Sequence, residues 1–458
     1  TDYALEPVVL FDEDGQPVGR IGDGDAVIFC CRRGEREIEL TEAFTEPDFT
    51  PFPRQALDLD FVLLTLYHEK FLHLPVAFAP SHIAGTLGEI VSRAGLRQLR
   101  TAESEKFAHV TFFLNGGRAQ PFAGEEDVRI PSPKGIPFEQ APELSLAQVA
   151  AQVAQGVEQA YDLIVANFAN GDVIGHTSST EAKIRAASAV DVNLRQVVEA
   201  AFLKNYVVLV TADHGNLEEL WAENGAPHVA HTSNPVEFLL LDPRAQTAAR
   251  LRSGKLADVA PTVLAAMGCE PGDLMEGKSL APDYPWGGRR RVLLLILDGW
   301  GIGKMDASNP IYLGETPFWH ELLRKYPSCR LEASGEAVGL QPGKPGNSEA
   351  GHTNIGAGRV VLQDDMRLER ALQDGGFEKN EIFTRVMQAV RRRQGHLHLL
   401  ALLTVKSSHG SIDYPLALLK MAQANGLETV YLHLIFDGRS TEPGSAPELL
   451  KKLEAKMD

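Results

Sequence analysis

Three mostly apolar runs in the sequence lead within a few residues to an aspartate, and this pattern constrains the fold most strongly. The runs and their aspartates are 162–168 with Asp172, 206–211 with Asp213, and Val292–Leu297 with Asp298. Helical patterns, such as those at 144–160 and 181–201, alternate with apolar runs along the chain. A strand that is buried on both faces is a continuous apolar run, so the alternation predicts an α/β fold whose mostly parallel sheet is flanked by helices.

Shorter segments extend this pattern. Further strands are predicted at 110–114, 236–241, 396–404 and 430–436, and further helices at 82–94, 416–424 and 446–456. The first 80 residues combine short predicted strands, at 7–10, 26–31 and 61–66, with loops rich in Asp, Pro and Gly. Residues 281–291, with the sequence APDYPWGGRRR, interrupt the pattern and are interpreted as a linker.

The charge balance argues against several classes of function. The chain of 458 residues carries a formal net charge of −17, which disfavours nucleic acid and anionic membranes as partners. Its longest purely aliphatic run, Val292–Leu297, is far shorter than the ~20 residues of a membrane-spanning helix, and the sequence does not open with a signal-peptide pattern. Four cysteines without CxxC spacing predict reduced thiols. We therefore expect a cytoplasmic, monomeric enzyme that acts on a small molecule.

The aspartates after the apolar runs predict a metal site. In an open α/β sheet the ligand site lies beyond the carboxyl ends of the strands, so Asp172, Asp213 and Asp298 are expected to meet there. Three adjacent carboxylates repel one another unless cations neutralise them. Three histidines are further ligand candidates: His176, His214 and His231. Carboxylate and imidazole ligands without cysteine suit Mn²⁺, Mg²⁺ or Zn²⁺, and the share of carboxylates favours Mn²⁺. For each aspartate taken alone, a helix cap or a turn is the alternative.

A glycine-rich stretch, 343–359, surrounds the candidate nucleophile Ser348. Its sequence, GKPGNSEAGHTNIGAGR, predicts a helix that begins at Asn347 or Ser348. The first turn of a helix presents free N–H groups and the positive end of the helix dipole, which suits a phosphate. We therefore interpret Ser348 as a serine that receives a phosphoryl group, and a plain glycine-rich surface loop is the alternative.

Several long segments together resemble the cofactor-independent phosphoglycerate mutases of the alkaline phosphatase superfamily. The segments are ILDGWG, GNSEAGHTNIGAGR, NFANGDVIGHT, TADHGN, AHTSNPVEF, EKFAHVTFFLNGG and LADVAPTVLAAMG. The resemblance implies an alkaline-phosphatase-like domain, two divalent metal ions and interconversion of 3- and 2-phosphoglycerate through a phosphoserine. By motif, Ser348 is the phosphorylated nucleophile and Lys106 assists at the phosphoryl group. One metal is assigned to Asp172, His176 and His231, and the other to Asp298, Ser348, Asp213 and His214.

The resemblance also implies a second, transferase domain that binds the phosphoglycerate. Arg33 and Arg36 of CCRRGERE match a substrate-binding arginine pair, His409 of SSHGSID matches a histidine of the transferase site, and Arg439 of FDGRST matches another arginine. The planar guanidinium of arginine can bind carboxylate and phosphate oxygens at two points. The implied phosphatase domain spans residues 81–362, and the transferase domain combines 1–80 with 363–458.

Two departures from the family concern the order and content of segments. In the family the serine-bearing segment opens the chain, whereas here it follows residue 291, so the segment order is predicted to be circularly permuted. A family segment with two further substrate arginines has no match here. Two other readings stay open: a phosphohydrolase or other phosphomutase of the same superfamily, and a non-catalytic relative.

Overall fold

The computed structural model describes residues 5–32, 35–79, 83–244, 250–405, 409–436, 441–442 and 444–457, without the side chains of residues 35, 36 and 69. The chain divides into two compact units. The smaller unit consists of Thr1–Ser81 and Asp364–Asp458, and the larger unit consists of His82–Gln363.

The strands and helices alternate along most of the chain. The strands of the described residues are β1 Ala26–Phe29, β2 Asp60–Thr65, β3 Val76–Phe78, β4 Gln98–Glu103, β5 Glu125–Ile130, β6 Leu163–Phe168, β7 Val207–Thr211, β8 Val236–Leu241, β9 Gly254–Lys255, β10 Val292–Leu297, β11 Ser328–Glu332, β12 Leu397–Leu403 and β13 Val430–Phe436. The α-helices are α1 Glu35–Thr45, α2 Leu87–Arg93, α3 Leu146–Glu158, α4 Asn170–Gly175, α5 Thr180–Leu203, α6 Val259–Met267, α7 Pro310–Leu313, α8 Pro317–Lys325, α9 Ser348–Ala357, α10 Asp364–Asp374, α11 Glu381–Arg393, α12 Asp413–Ala424 and α13 Ala446–Met457.

The larger unit is built on a mostly parallel sheet. Within the described ranges its strand order is β5-β4-β6-β10-β7-β8-β11-β9. The strands from β5 to β7 are parallel to one another, and β8 runs antiparallel to both β7 and β11. This arrangement confirms the predicted α/β class.

The central strands β6, β10 and β7 explain why apolar runs were readable in the sequence. Every residue of these strands is buried, and Val292 aligns with Leu163 on one side and with Val207 on the other. Each fully buried Val, Leu or Ile side chain stabilises the fold by about 1.5–3 kcal/mol relative to exposure. The apolar runs therefore form the centre of the larger unit, and their carboxyl ends lie side by side.

The smaller unit has its own parallel sheet and core. Its described strands follow the order β13-β12-β1-β2-β3, and all neighbouring pairs are parallel. Successive residues of β1 face opposite sides of the sheet. Ala26 and Ile28 pack into one apolar cluster, whereas Val27 and Phe29 pack into another. Burial on both faces makes this strand, too, an uninterrupted apolar run.

Two predicted strands are wrong. Residues 110–114 fall largely in a π-helix, His109–Phe113, because Val110 and Leu114 are buried four residues apart while Phe112 between them is exposed. A short apolar run cannot distinguish this helical spacing from a strand. Residues 7–10 form no strand, since side chains such as Val8, which is 77% exposed, have no core to pack against. The helices of the described part of the chain include none that is both long and apolar enough to span a membrane.

Candidate metal centre

The first ligand group lies at the carboxyl end of β6. Helix α4 begins two residues after β6, so its first turn carries Asp172, and His176 follows one helical turn later. His176 Nε2 lies 3.2 Å from Asp172 Oδ1, and His231 Nε2 lies 3.0 Å from the same oxygen. The two imidazole nitrogens are 3.1 Å apart. Three potential ligand atoms, from one carboxylate and two histidines, therefore converge on one point.

Backbone carbonyls fix the orientation of these histidines. His176 Nδ1 donates to the carbonyl of Val229 at 2.9 Å, and His231 Nδ1 donates to that of Gly346 at 2.8 Å. A carbonyl only accepts, so each Nδ1 carries a proton and each Nε2 is directed towards Asp172. This is the tautomer and orientation that a metal-binding histidine needs.

The second ligand group is contributed by the two neighbouring strands. Asp213 and His214 follow β7, Asp298 follows β10, and all three side chains are fully buried. His214 Nε2 lies 3.5 Å from Asp298 Oδ1, 3.5 Å from Asp213 Oδ2 and 3.8 Å from Asp172 Oδ1. Because β6, β10 and β7 are adjacent and parallel, their carboxyl ends bring the three aspartates to one place.

Ser348 enters this cluster from a helix N-terminus. Helix α9 begins at Ser348, within the predicted start, and the Asn347 side chain caps it by accepting the N–H of Ala350 at 2.9 Å. Ser348 Oγ lies 2.9 Å from His214 Nε2 and 3.2 Å from Asp298 Oδ1. The glycine at Gly351 permits this docking, because a Cβ there would lie 2.6 Å from the Asp213 carbonyl oxygen.

Lys106 brings a positive charge to the centre of the cluster. Its ammonium group lies 2.6 Å from Asp172 Oδ2, 2.7 Å from Asp298 Oδ1 and 2.6 Å from Ser348 Oγ. Burial lowers the pKa of Lys106, but the carboxylates around it outweigh burial and raise that pKa above its ordinary value. Burial raises the pKa of Asp298, and the charges of Lys106 and His214 more than offset this and lower it. The lysine is therefore charged and Asp298 ionised.

The donor set fits divalent metal ions. Asp213 Oδ2 is buried and has no hydrogen-bond partner among the described residues. A buried carboxylate oxygen without a partner costs free energy, unless a cation binds it. Together with the three histidine Nε2 atoms that face inward, this oxygen gives the cluster the imidazole and carboxylate ligands that Mn²⁺, Mg²⁺ and Zn²⁺ accept.

Sequence reasoning missed several residues of the cluster. His352 Nδ1 lies 3.2 Å from Asp213 Oδ2 and donates to the Ser348 carbonyl at 2.9 Å. Asn167 Nδ2 donates to Asp298 Oδ2 at 2.6 Å, and Asn216 Nδ2 donates to Asp172 Oδ1 at 3.0 Å. The available signals were the position of His352, one helical turn after Ser348, and a polar asparagine inside the apolar run of β6.

Four predicted substrate-binding residues, Arg33, Arg36, His409 and Arg439, belong to the smaller unit, and the fifth, Lys106, belongs to the larger unit. His409 is half-buried, and its carbonyl accepts the N–H of Arg32 at 2.8 Å, which places it next to the carboxyl end of β1. Arg33 and Arg439 lie outside the described residues, as does the side chain of Arg36.

In the larger unit, the structure assembles all eight predicted site residues into one cluster: Lys106, Asp172, His176, Asp213, His214, His231, Asp298 and Ser348.

Comparison with known families identifies the class of protein. The model of the metalloenzyme superfamily matches residues 35–271, more than half of the chain, and the chain belongs to this superfamily. A second model, described as the BPG-independent PGAM N-terminus, matches residues 368–458. The second match, although it describes an amino-terminal part, follows the first along this chain.

Individual relatives point to one branch of the superfamily. The chain is 45% identical over 282 residues to the 2,3-bisphosphoglycerate-independent phosphoglycerate mutase of Moorella thermoacetica, a match that covers 61% of this chain and 54% of the relative. The enzyme of the same name from Salinibacter ruber is 46% identical over 288 residues, covering 62% and 54%. These matches confirm the predicted resemblance to cofactor-independent phosphoglycerate mutases. The chain spans about half the length of the curated relatives it matches.

One solved structure was also matched. It is a crystal structure of Leishmania mexicana phosphoglycerate mutase at low cobalt concentration, with 28% sequence identity and a TM-score of 0.46. The match covers 59% of this chain and 53% of that one.

Proposed function

We propose that the chain interconverts 3-phosphoglycerate and 2-phosphoglycerate through a phosphoserine at Ser348. The observation that carries the proposal is the setting of the Ser348 hydroxyl. Its Oγ lies within hydrogen-bonding distance of Lys106 Nζ, His214 Nε2 and Asp298 Oδ1, at 2.6, 2.9 and 3.2 Å. A serine between a cation and a metal-ligand cluster, at the first turn of a helix, is suited to accept a phosphoryl group.

Two divalent ions complete the proposed site. Asp172, His176 and His231 would hold one ion, and Asp298, Ser348, Asp213 and His214 the other. We propose Mn²⁺ because three of the seven assigned ligands are carboxylates and none is a cysteine, and Mg²⁺ and Zn²⁺ are the alternatives. When bound, such ions neutralise the phosphoryl oxygens and lower the pKa of the serine hydroxyl.

The chain's own residues carry out the proposed transfer in two steps, first from the substrate to Ser348 and then from Ser348 to glycerate. Ser348 Oγ forms a bond to the phosphorus of 3-phosphoglycerate while the bond from phosphorus to the substrate oxygen breaks, and a proton replaces phosphorus on glycerate. The 2-hydroxyl of glycerate then attacks the phosphoserine, and a proton returns to Ser348. Lys106 donates hydrogen bonds to the transferring phosphoryl group, and the N–H groups of the first turn of α9 face its charge.

Retention of glycerate between the two steps distinguishes a mutase from a phosphatase. Arg33, Arg36, Arg439 and His409 are proposed to hold it, from the resemblance alone. Arginine binds the glycerate carboxylate with paired charge-assisted hydrogen bonds. Water that reached the phosphoserine first would release inorganic phosphate instead of 2-phosphoglycerate.

The order of the two family matches supports the proposal that the segment order is circularly permuted. Cytoplasmic location and a monomeric state stay predictions.

The purified chain tests this proposal directly. It is supplied with Mn²⁺ and 3-phosphoglycerate, and ³¹P NMR follows 2-phosphoglycerate and inorganic phosphate while elemental analysis counts bound metal. We expect about two ions per chain and 2-phosphoglycerate as the main product. Inorganic phosphate alone would identify a phosphohydrolase. Bound metal without either product would identify a non-catalytic relative.

A further inference from the structure

Another buried carboxylate, that of Glu218, lies beside the metal centre without belonging to it. Its side chain is 1% exposed, and it follows His214 by four residues. Glu218 belongs to none of the clusters of potential ligands found among the described residues. A buried carboxylate that binds no metal must obtain its stabilisation from hydrogen bonds.

Four donors surround the Glu218 carboxylate. Its Oε2 accepts the backbone N–H of Asn216 at 2.8 Å and that of Gly301 at 3.1 Å. Its Oε1 accepts Asn234 Nδ2 at 2.9 Å and the hydroxyl of Thr232. An ionised carboxylate only accepts hydrogen bonds and has about four acceptor positions, so these donors use its full capacity.

The four donors come from three ligand loops, which we define as residues 213–216, 231–234 and 298–301. Asn216 follows His214 by two residues, Thr232 directly follows His231, and Gly301 follows Asp298 by three. His231 belongs to the first ligand group of the centre, and Asp298 and His214 belong to the second. A single carboxylate thus connects loops of both groups.

The loops approach Glu218 so closely that side chains are excluded. A Cβ atom at Gly215 or at Gly301 would overlap the Glu218 carboxylate, and one at Gly303 would lie 2.8 Å from Glu218 Cβ. Neither Gly215 nor Gly301 has a positive φ, so close approach rather than backbone conformation requires these two glycines. Close approach to Glu218 thereby explains Gly215 of TADHGN and the second glycine of ILDGWG, Gly301.

We propose that Glu218 is a positioning residue that sets the separation of the two metal positions by holding the three ligand loops together. The inference rests on the proposed function, because it requires ions at the cluster. Glutamine at this position would remove the negative charge and turn an NH₂ group towards two of the four donors, which weakens the hold of this side chain on the loops. Hydrogen-bonded partners behind metal ligands affect metal affinity by about 10–100-fold when they are mutated.

A second buried side chain, Lys183, contacts the segment just before His231. Lys183 of α5 is buried, and its Nζ donates to the His228 carbonyl at 2.5 Å, three residues before His231. The ammonium group provides a positive charge that interacts with Glu218. The loop that carries His231 is therefore held by a carboxylate at Thr232 and Asn234 and by an ammonium group at His228.

The test measures metal affinity in Glu218→Gln, Thr232→Val and Asp242→Asn, each in the full chain. Free Mn²⁺ is followed by its EPR signal during titration, and the thermal midpoint of the metal-free protein is recorded for each variant. Glu218→Gln should weaken Mn²⁺ binding about 10–100-fold. Thr232→Val, which removes one donor, should weaken it less. Asp242→Asn controls for lost stability alone, and should keep wild-type Mn²⁺ affinity.

The visible spectrum of bound Co²⁺ gives a second readout, since its bands report ligand geometry. We expect the bands to change in Glu218→Gln and not in Asp242→Asn. Wild-type affinity and spectrum in Glu218→Gln would overturn the positioning role and leave the proposed function standing. If Glu218→Gln does not fold, wild-type Mn²⁺ affinity and an unchanged spectrum in Thr232→Val would overturn it equally. A wild-type chain that binds no Mn²⁺ would overturn both proposals.

Discussion

Asp213 and Asp242 follow neighbouring antiparallel strands, β7 and β8, and therefore lie at opposite ends of the same sheet. Both side chains are buried. Arg290 binds both oxygens of Asp242 at 2.7 Å, and Tyr284 and the N–H of Arg244 add hydrogen bonds at 3.0 and 2.9 Å. Asp213 Oδ2, in contrast, accepts no hydrogen bond among the described residues, since His352 Nδ1, 3.2 Å away, donates to the Ser348 carbonyl instead.

This difference separates a structural carboxylate from a functional one. At Asp242, every acceptor position is used within the protein, so the residue stabilises the fold and needs no ligand. At Asp213, acceptor capacity remains where Asp172, Asp298 and three histidine nitrogens also converge. A buried site whose negative charge exceeds its donors is poised to bind cations. The predictions below test this contrast, beginning with the largest expected effect.

Ser348→Ala should abolish turnover and leave metal binding largely intact. Removal of a nucleophile costs at least about 10⁴-fold in kcat, because no neighbour can supply the covalent step. As one ligand among several, the serine contributes less to affinity. The measurements are mutase turnover, Mn²⁺ titration and mass spectrometry of the enzyme after mixing with 3-phosphoglycerate.

Ser334→Ala is the matched control, because its hydroxyl donates to the Ser233 carbonyl at 3.1 Å and touches no member of the cluster. The wild type and this control should yield a phosphorylated peptide that contains Ser348. Phosphate found only on another residue would contradict the assignment.

Asp213→Asn and Asp242→Asn should have opposite profiles. Asp213→Asn removes a carboxylate from a cluster of like charges, so we expect it to weaken Mn²⁺ binding by more than about 100-fold while the metal-free protein loses little stability. Asp242→Asn leaves Arg290 buried without its charge partner, which should cost about 3–5 kcal/mol of unfolding free energy. Its Mn²⁺ affinity should be unchanged.

Urea unfolding and Mn²⁺ titration of both variants check this pair of expectations. If Asp213→Asn lost stability as severely as Asp242→Asn and kept its metal, the contrast between the two ends of the sheet would be wrong.

A comparison of the strands shows which parts of the fold could be predicted from the sequence. The strands at Val236–Leu241, Val292–Leu297 and Val430–Phe436 were predicted with the observed bounds, because each is an apolar run with at most one polar residue, Glu237 in the first and His433 in the third. Strand β4, Gln98–Glu103, was not predicted, although all six residues are buried. Its Arg100 interacts electrostatically with Glu125 and Asp127 of the neighbouring strand β5. The local sequence of β4 does not indicate this pairing.

The candidate site was predictable to the extent that its residues stand in motifs at strand ends. Asp172, Asp213 and Asp298 met as expected because parallel strands bring their carboxyl ends together. Glu218 and His352 were not predicted, since each also contacts a group distant in the sequence, the N–H of Gly301 for Glu218 and Asp213 Oδ2 for His352. The variants above test the roles of Glu218, Asp213 and Ser348.

The smaller unit provides a comparison between the two halves of the proposed chemistry. If Arg33 and Arg36 hold glycerate, their double replacement by alanine leaves the metal centre intact and weakens retention of the intermediate. Loss of charge-assisted hydrogen bonds of ~1.5–3 kcal/mol predicts roughly 10- to 100-fold less mutase flux. The ratio of inorganic phosphate to 2-phosphoglycerate should rise. Unchanged flux together with an unchanged ratio would mean that both arginines are surface charges.

The smallest expected effect is a change of stability with pH, caused by a buried histidine of the smaller unit that is not surrounded by several carboxylates. His398 of β12 is fully buried, with its Nε2 at 3.2 Å from Asp25 Oδ2 and its Nδ1 at 2.9 Å from His433 Nε2. Burial lowers the pKa of His398 to about 4, against the attraction of Asp25, and burial also lowers the pKa of His433. His214, surrounded by carboxylates, behaves in the opposite way: burial lowers its pKa, but Asp213 and its neighbours raise it to about 9.

The sign of the pH dependence follows from proton binding. Between pH 6.5 and 4 the unfolded chain protonates His398 and the folded chain does not, so stability of the smaller unit should fall as pH decreases through this window. We expect a loss of the order of 1 kcal/mol, because the half-buried His433 lets solvent screen the charge. The pKa of Asp25 lies below its ordinary value, since backbone N–H groups and His398 outweigh burial, so its own contribution is lost only at lower pH.

The positions of the tryptophans allow the pH dependence of unfolding to be assigned to one unit or the other. All four tryptophans, Trp221, Trp286, Trp300 and Trp319, lie in the larger unit, so their fluorescence follows that unit while far-UV circular dichroism follows both. His398→Asn should flatten the pH dependence of the dichroism transition and leave the fluorescence transition unchanged. His73→Gln, at an exposed histidine of the smaller unit, should change neither. A wild-type dichroism transition that does not move between pH 6.5 and 4 would show that His398 is protonated in the folded chain, and that burial alone does not keep this histidine neutral.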